Sequence, residues 1–153
     1  MTFEELEHAI RAACDVAHDH EVIVFGSQSI LGQFPDAHED LRQSAEADIM
    51  PRNRIDRTDD IDGAIGEGSA FHKEFGFYVH GVSIEAAILP SGWEQRTIPV
   101  KTDATRGNTG YCLEGHDLAA SKLAAYRDKD RAFVRVLLRE GYVKPRKLIE
   151  RLR

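Results

Sequence analysis

Glu46 and Asp48 stand two residues apart in SAEADIM, with apolar residues between and after them. In a β-strand, side chains alternate between faces, so both carboxylates of such a pair share one face. Two like charges on a half-buried face repel unless a cation stands between them. A divalent metal is the simplest such partner, and oxygen donors suit magnesium. The pair also reads as a solvated edge-strand face, or as one neutralised by a base such as Arg42. Upstream, VIVF at residues 22–25 is a short continuous apolar run of the kind buried strands show, and it ends on Gly26-Ser27. That ending is either a tight strand-to-helix turn or a loop whose N–H groups and hydroxyl hold a phosphate. Magnesium bridges phosphate oxygens, so a carboxylate pair beside a Gly-Ser loop describes a nucleotide site.

The elements around these residues follow from capping and periodicity. Thr2 and Glu5 make a capping box for a first helix whose apolar face is Phe3, Leu6, Ile10, Ala13 and Ala17. After strand 22–25, a short helix runs through Ile30 and Leu31 and stops before Pro35. Residues 36–42 read as polar loop or one helical turn, and 45–50 as a second strand closed by Pro51. PRNRIDRTDD is charged and loop-like, with Thr58 or Asp59 capping a short helix through Ile65, and GEGSAF reads as a mobile connection. FYVHGVSIEAAIL, residues 77–89, has strand composition with Gly81 as the turn between two strands. SGWEQRTIPV adds a turn and a strand, and TRGNTG a loop. Asp117 and Asp128 are expected to cap the next two helices, Gly141 to stop the second at C′, and Pro145 to open a terminal helix. The expected fold class is α/β (α+β), one domain over residues 1–153. A small mixed β-sheet flanked by helices fills 1–112, and 116–153 form a helical C-terminus.

At 153 residues, 42% hydrophobic and 30% charged, the chain is long enough for one real core and has the composition of a soluble globular protein. A net charge of -6 gives no support for broad DNA binding, which runs on phosphate neutralisation. A local basic stretch remains in the C-terminal third, including Arg127, Arg135, Arg146 and Lys147. Cys14 and Cys112 fit neither a disulfide framework nor a zinc pattern and read as small buried residues. With an acidic amphipathic N-terminus and no apolar run of membrane-spanning length, the expectation is a cytoplasmic protein with no membrane partner. The seven histidines show no zinc-ligand spacing and read as surface or capping residues. Trp93, Phe71, Phe75, Phe77 and Tyr78 read as core rather than as a base-stacking platform.

Taken in order, VIVFGS and then an Arg42-x-Ser44-x-Glu46-Ala47-Asp48-Ile49 run resemble the nucleotidyltransferase superfamily. That superfamily is marked by a hydrophobic strand, Gly-Gly or Gly-Ser, and a following strand bearing paired carboxylates. Arg42 and Ser44 ahead of the carboxylates, with HDLAASKLAAYRDKDRAFV at 116–134, are similar to the AbiEii-type toxin nucleotidyltransferases. The middle of the chain looks like related uncharacterised proteins of that fold. The resemblance touches residues 22–30, 42–50 and 116–134. It implies an Mg²⁺-dependent enzyme that transfers NMP from an NTP to an unidentified acceptor, a tRNA or a protein. It also implies a toxin of a toxin–antitoxin or phage-defence system, with an antitoxin as partner. By the same resemblance Gly26, Ser27, Arg42 and Ser44 bind the nucleotide, Glu46 and Asp48 hold the metal, and Lys122 pairs with the phosphates. Asp130 orients the acceptor, binds metal or pairs with Arg127, and Glu85 is the candidate third carboxylate on a following strand. Glu46 stands where the superfamily has Asp, and LGQFPDAHEDLRQ lengthens the interval from Gly-Ser to the carboxylates. These departures keep open a catalytically inactive nucleotidyltransferase-fold domain for binding or interaction. A metal-dependent hydrolase using the same carboxylates is a third reading.

Overall fold

A computed structural model describes residues 1–153, apart from the side chain of Ala86. The first helix, α1 (Phe3–Ala17), starts on the expected capping box. Thr2 Oγ1 accepts the Glu5 N–H at 3.1 Å, and Glu5 Oε1 accepts the Thr2 N–H at 2.8 Å. Its apolar stripe of Leu6, Ala9, Ile10, Ala13 and Ala17 is wholly buried, and each fully buried leucine or isoleucine contributes about 1.5–3 kcal/mol. Then come β1 (Glu21–Phe25), a single 3₁₀ turn at Ser27–Ser29, α2 (Ile30–Gln33), β2 (Glu46–Pro51), α3 (Thr58–Ile65), α4 (Ala70–Phe75) and β3 (Tyr78–Gly81). The chain continues through α5 (Trp93–Arg96), β4 (Ile98–Val100), β5 (Thr109–Cys112), α6 (Gly115–Ala125), α7 (Asp128–Arg139) and α8 (Pro145–Arg151).

The five strands form one mixed sheet in the order β3-β2-β1-β5-β4. β1 runs antiparallel to β2 and parallel to β5, β2 is parallel to β3, and β4 closes the far edge antiparallel to β5. The α1 face is dry. Ile10 packs so closely on Gly110 of β5 that a Cβ there would meet Ile10 Cδ1 at 2.5 Å. Ala47 and Ile49 of β2 are fully buried, whereas Glu46 and Asp48, alternating with them, are half-buried. The period-two expectation for the carboxylates holds.

Several element expectations are corrected. Only Tyr78–Gly81 of the 77–89 run is a strand, and beyond it the chain makes a 3₁₀ turn at Ile84–Ala86. The hydroxyl of Ser83 accepts the Glu85 N–H, a local cap that competes with strand pairing. Residues 109–112, which overlap the end of the TRGNTG stretch (105–110) expected as a loop, form β5 beside the central strand, because β1 offers them a parallel edge. GEGSAF leads into α4, capped by Ser69 Oγ on the His72 N–H. The turn expected in SGWEQRTIPV falls at Ser91-Gly92 and the strand at Ile98–Val100, but a short helix from Trp93 stands between them. Glu114, not Asp117, caps α6, and Asp128 is the first residue of α7 behind Arg127. Gly141 (φ 75°) follows the C-cap Glu140, and Pro145 opens α8, both as expected. Cys14 and Cys112 are buried free thiols, and burial pushes each up to about 12. Among the described residues, no helix is long and apolar enough to cross a membrane.

Candidate active site

At the end of β1, Gly26 adopts φ 69° and ψ -177°, a conformation that disfavours any Cβ. A Cβ on Gly26 would stand 2.1 Å from Asp48 Oδ2. The glycine is therefore required twice, by its backbone and by the carboxylate pressed against it. Ser29 fastens the turn, its N–H and hydroxyl both donating to Gly26 O at 3.2 and 2.7 Å. The Ser27 hydroxyl accepts from Gln28 Nε2 at 2.9 Å and keeps its own proton to donate. Gln28 is 1% exposed, and Nε2 also reaches Leu41 O at 3.1 Å. Its Oε1 has no hydrogen-bond partner among the described residues.

Asp48 lies in register with Phe25 of β1 on one side and His80 of β3 on the other. Burial, first of all, pushes its carboxyl up to about 7, and the Glu46 carboxylate beside it adds to the shift. The positive charge of His80 and Lys122 offsets only part of it. Glu46 pairs in register with Tyr78, whose hydroxyl donates to Glu46 Oε2 at 3.4 Å. Ser44 Oγ accepts the Glu46 N–H at 3.0 Å and holds the start of β2.

The opposite wall comes from the C-terminal helices. Lys122 of α6 lies 3.6 Å from Asp130 Oδ1 and 5.4 Å from the Phe133 ring centroid. Burial lowers its ammonium, against the pull of Asp130 and Asp48. Asp130 is fully buried and accepts from the Arg127 N–H at 3.1 Å and from its guanidinium at 2.7 and 3.2 Å. Burial alone would raise the Asp130 carboxyl, but Arg127 and Lys122 hold it below the usual carboxylate range. Asp130 thus caps α7 and fixes Lys122 across the cleft from Asp48.

Asp48, Lys122, Arg127 and Asp130 sit at the junction of two chambers. The wider, about 670 Å³, carries Ser27, Gln28, Ser44, Glu46, Lys129 and Phe133 on its wall. The narrower, about 320 Å³, carries Gly26, Val82, Ser83, Ile88, Leu118 and Ser121. Gly26, Ser27, Ser44, Glu46, Asp48, Lys122 and Asp130 are therefore brought together. Arg42 is not among them: it lines neither chamber, and its Nε donates to Ala37 O at 2.7 Å. Glu85 also lies apart, on the exposed 3₁₀ turn, its carboxylate taken by the Ser83 hydroxyl. The strand position beside Asp48 belongs to His80 instead. Its Nδ1 sits 3.0 Å from Asp62 Oδ1, which also accepts the Gly81 N–H at 2.9 Å. Burial would lower the imidazole, but Asp62 and the paired carboxylates outweigh it and raise it. The sequence places His80 among the surface or capping histidines, although the alternation of FYVHG into a strand was the available signal for its place beside Asp48. Among the described residues, no three His, Cys, Asp or Glu side chains converge as a metal-binding group.

A mixed sheet whose first strand ends in Gly-Ser against a carboxylate-bearing second strand, closed by a helical C-terminus, defines a nucleotidyltransferase-like protein. Residues 1–138 match the model of the family described as nucleotidyltransferase of unknown function (DUF6036), and the chain belongs to that family. α8 lies beyond the matched residues. No curated protein and no solved structure gives a significant match.

Proposed function

We propose that the protein binds an NTP in the wider chamber with a divalent metal at Glu46 and Asp48, and transfers NMP to a hydroxyl acceptor. The observation that carries this is the contact between Gly26 and Asp48: the turn able to hold phosphate oxygens is built directly against the carboxylate face. The donor set fits Mg²⁺. Asp48 is raised because it is buried and faces Glu46 without a cation strong enough to satisfy both, and hard oxygen ligands suit that ion. When bound, the ion would supply charge neutralisation at the transferred phosphoryl group and the departing pyrophosphate.

The remaining steps belong to side chains of this chain. Ser27 donates its free hydroxyl proton to a phosphate oxygen, and Ser44 stands on the same wall. Lys122, held by Asp130 and by the Phe133 ring, presents a fixed positive charge to the phosphates. Lys129 and Arg127 add positive charge at the rim, and Phe133 with Val136 offers an apolar surface to the base. Orphaned Gln28 Oε1 suits a hydroxyl or N–H donor of the ligand. The likeness of the Arg42–Ile49 and 116–134 segments to AbiEii-type proteins supports a toxin or phage-defence role in the cytoplasm.

Pyrophosphate release from each of the four NTPs, with Mg²⁺ and a cell extract as acceptor source, tests the reading. The expected result is Mg²⁺-dependent release abolished by Glu46→Ala. A second reading, a binding domain without catalysis, is favoured by His80 in the position beside Asp48 and by Glu46 in place of Asp. NTP binding without pyrophosphate release from any NTP would establish that alternative.

A further inference from the structure

The two chambers meeting at Asp48 differ in chemistry as well as size. The wider one holds the hydroxyls and cations suited to a triphosphate, and its 670 Å³ is ample for a nucleotide. The narrower one is walled by Val82, Ala87, Ile88, Leu118 and Ala124, with Ser83 and Ser121 as its polar groups away from the junction. The cations on its wall, Lys122 and Arg127, stand at the junction and are shared with the wider chamber, where the proposed nucleotide takes them. Past Ile88 and Ala124 it continues into a groove of about 310 Å³ over Leu89, Pro90, Ala120 and Leu152. Ile88 is 72% exposed and Leu152 51%, so an apolar track runs from solvent to Asp48. Arg151, also on that groove, is held by Glu114 and Asp117. The exposed Arg153 also lines the groove, whereas the exposed bases Arg135, Arg146 and Lys147 lie on neither the chamber nor the groove.

Resting on the proposed nucleotide site, we infer that the narrow chamber is the acceptor subsite and takes a Ser, Thr or Tyr hydroxyl carried on an uncharged, apolar polypeptide segment. A polyanionic RNA end would meet few free cations there and lose its hydration against isoleucine and leucine. An apolar segment gains from burial along the groove, and Ser121 can hydrogen-bond its backbone. In the transfer, the acceptor oxygen forms a bond to the α-phosphorus. The bond from that phosphorus to the bridging oxygen breaks, pyrophosphate leaves with the electron pair, and the hydroxyl proton is released to solvent.

The test uses the full chain, α-³²P-labelled NTPs and Mg²⁺, and two acceptor pools. One is a set of synthetic peptides bearing a single Ser, Thr or Tyr among apolar residues, and the other is total RNA. The expected result is label in peptide, with a mass gain of one NMP on the hydroxyl residue. Ala124→Trp, on an exposed helical position, and Ile88→Glu should each reduce transfer by roughly a hundredfold, as displacement of an acceptor by about an ångström does. Both should leave NTP affinity, measured by calorimetry, unchanged. Label in RNA rather than peptide overturns the inference, as does transfer by both variants at the wild-type rate. NTP binding without transfer to either pool overturns the acceptor assignment while leaving the nucleotide site standing. Loss of NTP binding altogether is the separate failure of the underlying function.

Discussion

Gly26 and Asp48 set the chemistry at the smallest scale, and each makes a direct expectation. Gly26→Ala forces a left-handed φ on alanine and drives its Cβ into Asp48 Oδ2. The backbone alone costs about 1–3 kcal/mol, so a lower Tm together with lost NTP binding is the expected outcome. Asp48 carries a pH dependence. Its carboxyl is raised from 3.8 to about 7 in the fold, so the native state binds the extra proton between those values. Stability is therefore lost as pH rises through that window. Asp48→Asn, which never ionises, should have a higher Tm than wild type at pH 8, and the difference should close toward pH 4. A constant difference across that range would contradict the assignment. The paired carboxylates and Gly-Ser were legible in the sequence because their spacing is local. The Asp62–His80 pair beside Asp48 was not, because only the β2–β3 register brings it there.

Between elements, the C-terminal helix is fastened by a buried ionic group. Arg151 of α8 reaches Glu114 and, at 2.8 Å, Asp117, and Asp117 also takes a two-pronged contact from Arg96 at 2.8 Å on each prong. His116 ties in a further strand of this network. Its Nε2 accepts the Lys144 N–H at 3.0 Å, which leaves the Nδ1 proton for Glu114 Oε2 at 2.7 Å. Burial would raise Glu114, but His116 and Arg151 outweigh it and hold its carboxyl at about 2. A depressed carboxylate contributes stability above its unfolded value of 4.5, and that contribution is lost as pH falls toward 2. Urea denaturation should show wild type losing more stability between pH 5 and pH 3 than Glu114→Gln does. Arg151→Met should cost about 1–3 kcal/mol at pH 7, since it leaves buried acceptors short of a donor. The helix α8 itself was readable from Pro145, and α7 from its apolar stripe. The network was not, because Glu114 and Asp117 read locally only as capping acids. Strand β5 was hidden for a related reason: TRGNTG has turn composition, and it is the open edge of β1 that draws residues 109–112 into the sheet.

Across the whole molecule, charge is divided between the two walls of the cleft. Residues 116–153 hold 11 of the 20 Lys and Arg but only 5 of the 26 Asp and Glu, so the helical third is net positive on an acidic protein. The cleft places that basic wall, with Lys122, Arg127 and Lys129, opposite Glu46 and Asp48. The proposed NTP with its metal would complement both walls at once. Because Arg127 and Lys129 are exposed, NTP affinity should fall as salt rises from 0.05 to about 0.5 M, where screening shortens to a few ångströms. Calorimetry of NTP binding, with and without Mg²⁺, on wild type and Asp48→Ala in parallel tests the central claim most directly. The account requires binding that needs both Mg²⁺ and Asp48. Failure of all four NTPs to bind wild type, or equal binding by the two proteins, would contradict it.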